Sequence, residues 1–92
     1  MAKYQIFETS TFQKDLTQLT QAGLDRIKKK LQEHVYPQLR ENPYVGPNIK
    51  RLKRWDPPTW RYRVGVWRFF YEIEEKEKII SMTVAEHRSK AY

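Results

Sequence analysis

The chain has 92 residues, no cysteine, 39% hydrophobic residues and a formal net charge of +7. A chain of this length has room for one compact core, so we expect a single domain over residues 1–92. The lack of cysteine excludes disulfides and thiolate metal sites. No apolar run reaches the roughly 18–20 residues of a membrane span, and no apolar signal segment begins the chain, so we expect a cytoplasmic protein.

The positive charge is concentrated in residues 49–69. This window has seven basic residues and one acid, Asp56, and is therefore +6. The other 71 residues carry 11 basic and 10 acidic side chains, a net +1. So local a surplus indicates a binding site for a polyanion. The seven basic residues are Lys50, Arg51, Lys53, Arg54, Arg61, Arg63 and Arg68.

The first half of the chain predicts one strand and two helices. Residues 3–8 have the pattern of a short strand, and Ser10 with Gln13 forms a capping-box pattern that begins a helix. Apolar residues at helical spacing continue this helix, and a second apolar stripe at residues 24–39 follows Gly23. Two amphipathic helices joined by a short break predict a helical hairpin.

The second half changes to the period of two that is typical of strands. Two prolines and a glycine in residues 42–47 end the helical half. A possible strand at 49–53 is followed by predicted strands at 60–64, 66–74 and 78–84. The order β-α-α-β-β-β predicts an α+β fold, in which the helical hairpin packs on one face of a small, mostly antiparallel sheet.

Strand alternation places Arg61 and Arg63 on the same face of the predicted sheet. Arg68 follows on the next strand and can stand beside them. Three guanidinium groups match phosphate oxygens in fork geometry, and arginine keeps its charge at any ordinary pH. This pattern favours RNA as the target. The alternative is an exposed basic face on which some arginines pair with Glu72, Glu74 or Glu86.

The end of the chain supplies groups that can move a proton. Histidine is the residue type that exchanges a proton near neutral pH, which makes His87 a candidate, and Tyr92 carries a phenolic O–H. Cleavage of RNA by its own 2′-OH requires a base, positive charge at the phosphorus and an acid for the leaving 5′-oxygen. A tail folded back on the arginines supplies this combination. The alternative for His87 is a surface position in a frayed tail.

Other polar residues fit structural roles. We expect His34 and the run of three lysines from Lys28 to lie on the solvated surface of the second helix. Two isolated histidines without an acidic cluster predict no metal site. The chain has no glycine-rich phosphate loop and no G-x-S-x-G motif, and we expect no cofactor. Tryptophans can stack on bases, but we favour packing for Trp67.

Five motifs occur along the chain: F-x-K-D-L-x-x-L at 12–19, E-N-P-Y-x-G at 41–46, I-K-R-L-K at 49–53, W-R-Y-R-V-G-V-W-R-F-F-Y-E-I at 60–73 and H-R-S-K-A-Y at 87–92. In this order and spacing the chain resembles RelE-type toxins of type II toxin–antitoxin pairs, within the RelE/ParE superfamily. The resemblance covers essentially the whole chain. It implies metal-independent, ribosome-dependent cleavage of mRNA in the A site, and a cognate antitoxin that wraps the toxin in a hetero-oligomer.

The resemblance also implies roles for residues. Arg61 and Arg63 match the family's basic pair on a strand, and Arg68 matches its phosphate-stabilising arginine. Arg88 and Tyr92 match its tail, with Tyr92 as base or stacking residue. The predicted catalytic residues are Arg61, Arg63, Arg68, His87 and Tyr92. The predicted RNA-binding residues are Lys50, Arg51, Lys53, Arg54 and Arg88.

Two departures from the family pattern bear on the chemistry. Arginines stand on the strand where the best-known members carry lysines, and Glu86 replaces a family arginine; His87 can supply the missing proton transfer. Two alternatives stay open. The chain can be a non-nuclease toxin like those of the ParE branch, which inhibit DNA gyrase, or an inactive homologue that binds only RNA or an antitoxin.

Overall fold

The computed structural model describes residues 3–19 and 24–87, and every structural statement below concerns these residues. Their elements are β1 (Gln5–Glu8), α1 (Ser10–Leu19), α2 (Leu24–Lys30), a π-helical turn (Leu31–Val35), α3 (Tyr36–Glu41), β2 (Ile49–Arg51), β3 (Trp60–Val64), β4 (Trp67–Glu74) and β5 (Ile79–His87). The segments from α2 to α3 follow one another without a break and form the second helix of the predicted hairpin.

Helix α1 begins at a cap one residue earlier than the sequence pattern predicts. Ser10 is already helical, and the Thr9 hydroxyl accepts a hydrogen bond from the backbone N–H of Phe12 at 3.1 Å. The same hydroxyl donates to the carbonyl of Met82 on β5 at 2.8 Å. The capping box at Ser10 is therefore wrong. Thr9 is the N-cap residue instead, and its hydroxyl also ties the start of the helix to the sheet.

A widened turn lets the second helix continue past a proline. The backbone N–H of Tyr36 donates to the carbonyl of Leu31, five residues earlier, and Pro37 follows directly. A proline inside an α-helix lacks one N–H, and its ring collides with the carbonyl four residues before it. The π-helical turn relieves this conflict, so the predicted helix continues to Glu41.

The sheet has five strands in the order β1-β5-β4-β3-β2. β1 runs parallel to β5, and the other neighbouring strands are antiparallel. The predicted α+β fold is confirmed. The predicted order had three strands after the helices, and the structure has four, because the possible strand at 49–53 forms a short edge strand, β2.

The inner face of the sheet packs against the helices. Side chains from β3, β4 and β5 and from the helices form one buried cluster around Phe12, Phe69 and Tyr71, each with no exposed surface. Its other fully buried members are Leu16, Leu31, Val35, Tyr36, Leu39, Ile80 and Met82. None of the helices within the described residues is long and apolar enough to cross a membrane.

A β-bulge changes which residues of β5 face the helices. Phe70 pairs with Val84, but Tyr71 pairs with Met82, so Thr83 is an extra residue in β5. The extra residue reverses the alternation after it. Ala85, three residues after Met82, is consequently buried on the same inner face.

Candidate functional site

The outer face of the sheet carries four cationic side chains on three neighbouring strands. Lys50 on β2 lies opposite Arg61 on β3, and Arg63 on β3 lies opposite Arg68 on β4. We call these four residues the cationic face. Like charges directly opposite each other destabilise a sheet. The arrangement therefore does not serve stability, and its chemistry suits an anionic ligand.

Arg61 is one of two half-buried members of the cationic face, with Arg68. Its Nε is buried and has no hydrogen-bond partner within the described part of the chain. The side chain lines an open cavity of about 480 Å³ together with Pro47, Asn48, Ile49, Lys50 and Arg63. A buried donor without an acceptor is unfavourable by about 1–3 kcal/mol. The three cationic side chains that line the cavity, Lys50, Arg61 and Arg63, suit an anionic ligand there.

Arg63 is exposed and lies between two cavities. Its Nε donates to the carbonyl of Gly65 at 3.3 Å, which holds the side chain over the β3–β4 turn. Gly65 adopts φ +56°, a conformation that glycine takes without strain. A second cavity, about 420 Å³, joins Arg63 to Lys30 and His34 of the second helix. Lys30 and His34 are both exposed, as predicted.

Arg68 faces the carboxylate of Glu86, one of the glutamates that the sequence offers as partners of the arginines. Glu86 on β5 is its direct partner in the register, and Arg68 Nη1 lies 3.9 Å from Glu86 Oε1. The two side chains keep 31% and 37% of their surface exposed. Both can therefore contact a ligand on the outer face. The β-bulge that places Glu86 there has no clear signature in the sequence.

An aromatic pair borders the cationic face. Phe70 lies opposite Arg61, and its ring meets that of Trp55 edge-on, with centroids 5.5 Å apart. Trp55 is 49% exposed, so it remains a candidate for stacking on a base. Trp67 packs against the core and stacks on Phe69 at 5.9 Å, which confirms its predicted packing role.

His87 lies on the other side of the sheet from the cationic face. It is paired with Trp67, and the two rings meet edge-on at 4.9 Å on the inner face. The structure therefore does not bring His87 together with Arg68. The reason is the bulge at Thr83, which turns Glu86 outward and His87 inward. Arg88 and Tyr92 lie outside the described residues.

The remaining predicted RNA-binding residues are more scattered. Arg51 lies opposite Trp60 and alternates with Lys50, so strand register places it on the other face. Lys53 and Arg54 are exposed in the turn after β2, where Arg54 has φ +64°. Lys50 alone among the described members of this set therefore belongs to the cationic face.

A second charged cluster lies at the β4–β5 hairpin. Glu75 accepts hydrogen bonds from the hydroxyls of Tyr4 at 2.8 Å and Tyr44 at 2.6 Å, and it pairs with Lys78. These donors, Lys78 first, lower the pKa of Glu75 to about 2. The cluster joins the start of β1, the segment after α3 and the hairpin. We therefore assign it a role in holding these segments together.

The described residues contain no group of three or more His, Cys, Asp or Glu side chains that could hold a metal ion. The cationic face instead offers positive charge from side chains that do not lose a proton at ordinary pH. With Glu86 beside them, the arrangement combines anion binding with a group that can accept a proton.

Comparison with known proteins gives the family. The sequence profile of the ParE toxin of type II toxin–antitoxin system, parDE, matches residues 6–92. The chain therefore belongs to this family and is a type II toxin of the RelE/ParE superfamily, as the motifs predict. No curated protein matches the chain by sequence.

Solved structures of similar fold come from bacteria and an archaeon. The toxin–antitoxin complex RelBE2 from Mycobacterium tuberculosis contains a chain of 23% identity with a TM-score of 0.73, covering 98% of this chain and 97% of that one. A chain of the RelE–RelB complex from Pyrococcus horikoshii is 21% identical with a TM-score of 0.68, covering 97% of this chain and 99% of that one. A mutant of Escherichia coli RelE in the free state is 17% identical with a TM-score of 0.64, covering 99% of this chain and 87% of that one. At these identities the likeness shows the fold.

Proposed function

We propose that this toxin is a ribosome-dependent endoribonuclease that cleaves mRNA by attack of a 2′-OH on the adjacent phosphate. The observation that carries the proposal is the cationic face, where strand register aligns Lys50 with Arg61 and Arg63 with Arg68. Four cations on neighbouring strands match a chain of phosphates better than a single small anion.

The four side chains have separate tasks in this proposal. Arg63 and Arg68 contact the scissile phosphate and stabilise the negative charge that grows on its oxygens in the transition state. Arg61 and Lys50 bind a flanking phosphate in the cavity that they line. The guanidinium groups supply the positive charge, so the proposal assigns no metal ion or cofactor.

The partners follow from the class of protein. Two of the similar structures are complexes of a toxin with its antitoxin, RelBE2 and RelE–RelB. We accordingly propose a cognate antitoxin as the protein partner, in a toxin–antitoxin hetero-oligomer. Because the ribosomal A site is the proposed place of cleavage, the toxin acts in the cytoplasm, as one domain over residues 1–92.

The test is in vitro translation of a defined mRNA with the purified toxin, followed by mapping of the new 5′ ends. Cuts at codons in the ribosomal A site, absent when ribosomes are omitted, are the expected result. Intact mRNA in translating reactions contradicts the proposal.

One observation favours a second candidate. The matching family profile is that of the ParE toxin, and the ParE branch acts on DNA gyrase. Supercoiling by purified gyrase in the presence of the toxin tests this candidate directly. Blocked supercoiling with intact mRNA identifies a gyrase inhibitor. A protein without effect in either assay that still binds an antitoxin is an inactive homologue.

A further inference from the structure

The proposed cleavage needs a group that takes the proton from the 2′-OH, and the cationic face limits the choice. Arginines are poor proton acceptors because they stay charged. His87 lies on the inner face beside Trp67. Strand alternation gives the described outer face three carboxylates on β4 and β5: Glu72, Glu74 and Glu86. Of these, Glu86 lies directly opposite Arg68.

Glu86 and Arg68 lie side by side on the outer face, close enough to contact two neighbouring groups of one nucleotide. Oε1 and Nη1 are 3.9 Å apart, longer than the roughly 2.7–2.9 Å of a direct charge-assisted hydrogen bond. The 2′-hydroxyl and the adjacent phosphate are neighbouring groups of one nucleotide. A carboxylate beside a guanidinium can accept from the hydroxyl while the guanidinium donates to a phosphate oxygen.

We propose that Glu86 is the general base of the cleavage reaction; this inference rests on the proposed function. The Glu86 carboxylate takes the 2′-OH proton as the bond from O2′ to phosphorus forms. The bond from phosphorus to O5′ breaks, and the leaving oxygen takes a proton from water. The products are a 2′,3′-cyclic phosphate and a 5′-hydroxyl, and Glu86 returns its proton to water.

Within the described residues, three charged groups lie on the elements next to Glu86. Arg68 faces it from β4, with Arg63 of β3 on the far side of Arg68. Asp15 of α1 lies at the other edge of β5, where its Oδ2 accepts a hydrogen bond from the backbone N–H of Ala85 at 3.1 Å.

A purely structural role for Glu86 predicts the opposite change in cleavage rate when the carboxylate is removed. If Glu86 only neutralises Arg68, its removal frees a cation for RNA, and both binding and cleavage become stronger. If Glu86 is the base, its removal slows cleavage while RNA binding is retained or strengthened. The two roles are therefore separated by the direction of the change in rate.

The experiment measures single-turnover cleavage on programmed ribosomes across a series of pH values. The variants are Glu86→Gln, Glu86→Asp and, as a matched control on the same outer face, Glu74→Gln. We expect Glu86→Gln to lower the rate by about 10²–10⁴-fold, as for loss of a general base, and to remove the rise of rate with pH on the acid side. Glu86→Asp keeps that rise with a smaller loss, and Glu74→Gln matches the wild type.

Each other outcome contradicts a defined statement. A wild type that cuts, with Glu86→Gln equally fast or faster and the same pH profile, overturns the role of Glu86 and leaves the proposed function intact. A wild type that does not cut overturns both. Thermal unfolding of each variant checks its fold. Should the Gln variant not fold, loss of the acid-side rise in Glu86→Asp overturns the assignment.

Discussion

The two faces of β3 and β4 use the same strands for different purposes. Toward the helices, Tyr62, Phe69 and Tyr71 are buried in one cluster, with Phe69 and Tyr71 having no exposed surface. Toward the outside, Arg63 and Arg68 alternate with them and face each other across the strand pair. The inner face is arranged to exclude water, and the outer face keeps like charges together.

This difference teaches how the sheet divides stability and activity. Burial of large side chains provides most of the free energy of folding. Opposed arginines contribute nothing comparable, and partly exposed ion pairs are worth about 0–1 kcal/mol. The two faces should therefore respond differently to mutation, and four measurements test this difference.

The largest effect is expected on the inner face. Phe69→Ala removes a fully buried ring that packs against Phe12 at 6.0 Å between centroids. We expect the free energy of unfolding to fall by about 3–5 kcal/mol, a large part of the total for a small domain. Urea denaturation measures it. Phe7→Ala is the control, because Phe7 is 58% exposed; equal losses at both positions contradict the division.

On the outer face, Arg68→Ala should impair activity with little effect on folding. Loss of one transition-state charge lowers the rate of cleavage by about 10²–10³-fold, or roughly 2.7–4 kcal/mol. The free energy of unfolding should change by less than about 1 kcal/mol, because the pair with Glu86 is partly exposed. His34→Ala, on the exposed helix surface, is the control and should do little. Equal loss of cleavage at both positions indicates unfolding.

Salt should weaken RNA binding by a smaller but measurable amount. If the cationic face binds four phosphates of a single strand, log K falls with log[salt] with a slope of about −2.8, which is about 50-fold between 50 and 200 mM. Fluorescence anisotropy with a labelled RNA measures it. Lys50→Ala should reduce the slope by about 0.7. Binding that ignores salt excludes the cationic face as the contact surface.

The smallest effect concerns a charge away from the cationic face. The pKa of Glu75 is lowered from 4.5 to about 2, so the folded state favours its ionised form. Its stabilisation is present above about pH 4.5 and is lost as the pH falls toward 2. Glu75→Gln should flatten this acid dependence of the free energy of unfolding. Glu77→Gln, in the same hairpin, is the control; identical pH curves for wild type and Glu75→Gln contradict the assignment.

Local patterns in the sequence predicted much of the fold. Periodicity of 3.6 and of two separated the helical half from the strands, and alternation placed Arg61 and Arg63 on one face. The cap at Thr9 was missed because its hydroxyl also bonds to Met82 on a distant strand. The extent of β2 was overestimated because an edge strand ends where its single partner, β3, ends.

The amino-acid sequence is enough to identify an α+β toxin of the RelE/ParE superfamily with its excess charge on the second half of the chain. These properties depend on composition, on short-range periodicity and on motif order. Only the tertiary structure decided which groups meet on the outer face. Simple alternation from Met82 turns His87 outward and Glu86 inward, and the bulge at Thr83 reverses both. A bulge depends on the pairing of two strands, so it cannot be derived from either strand alone.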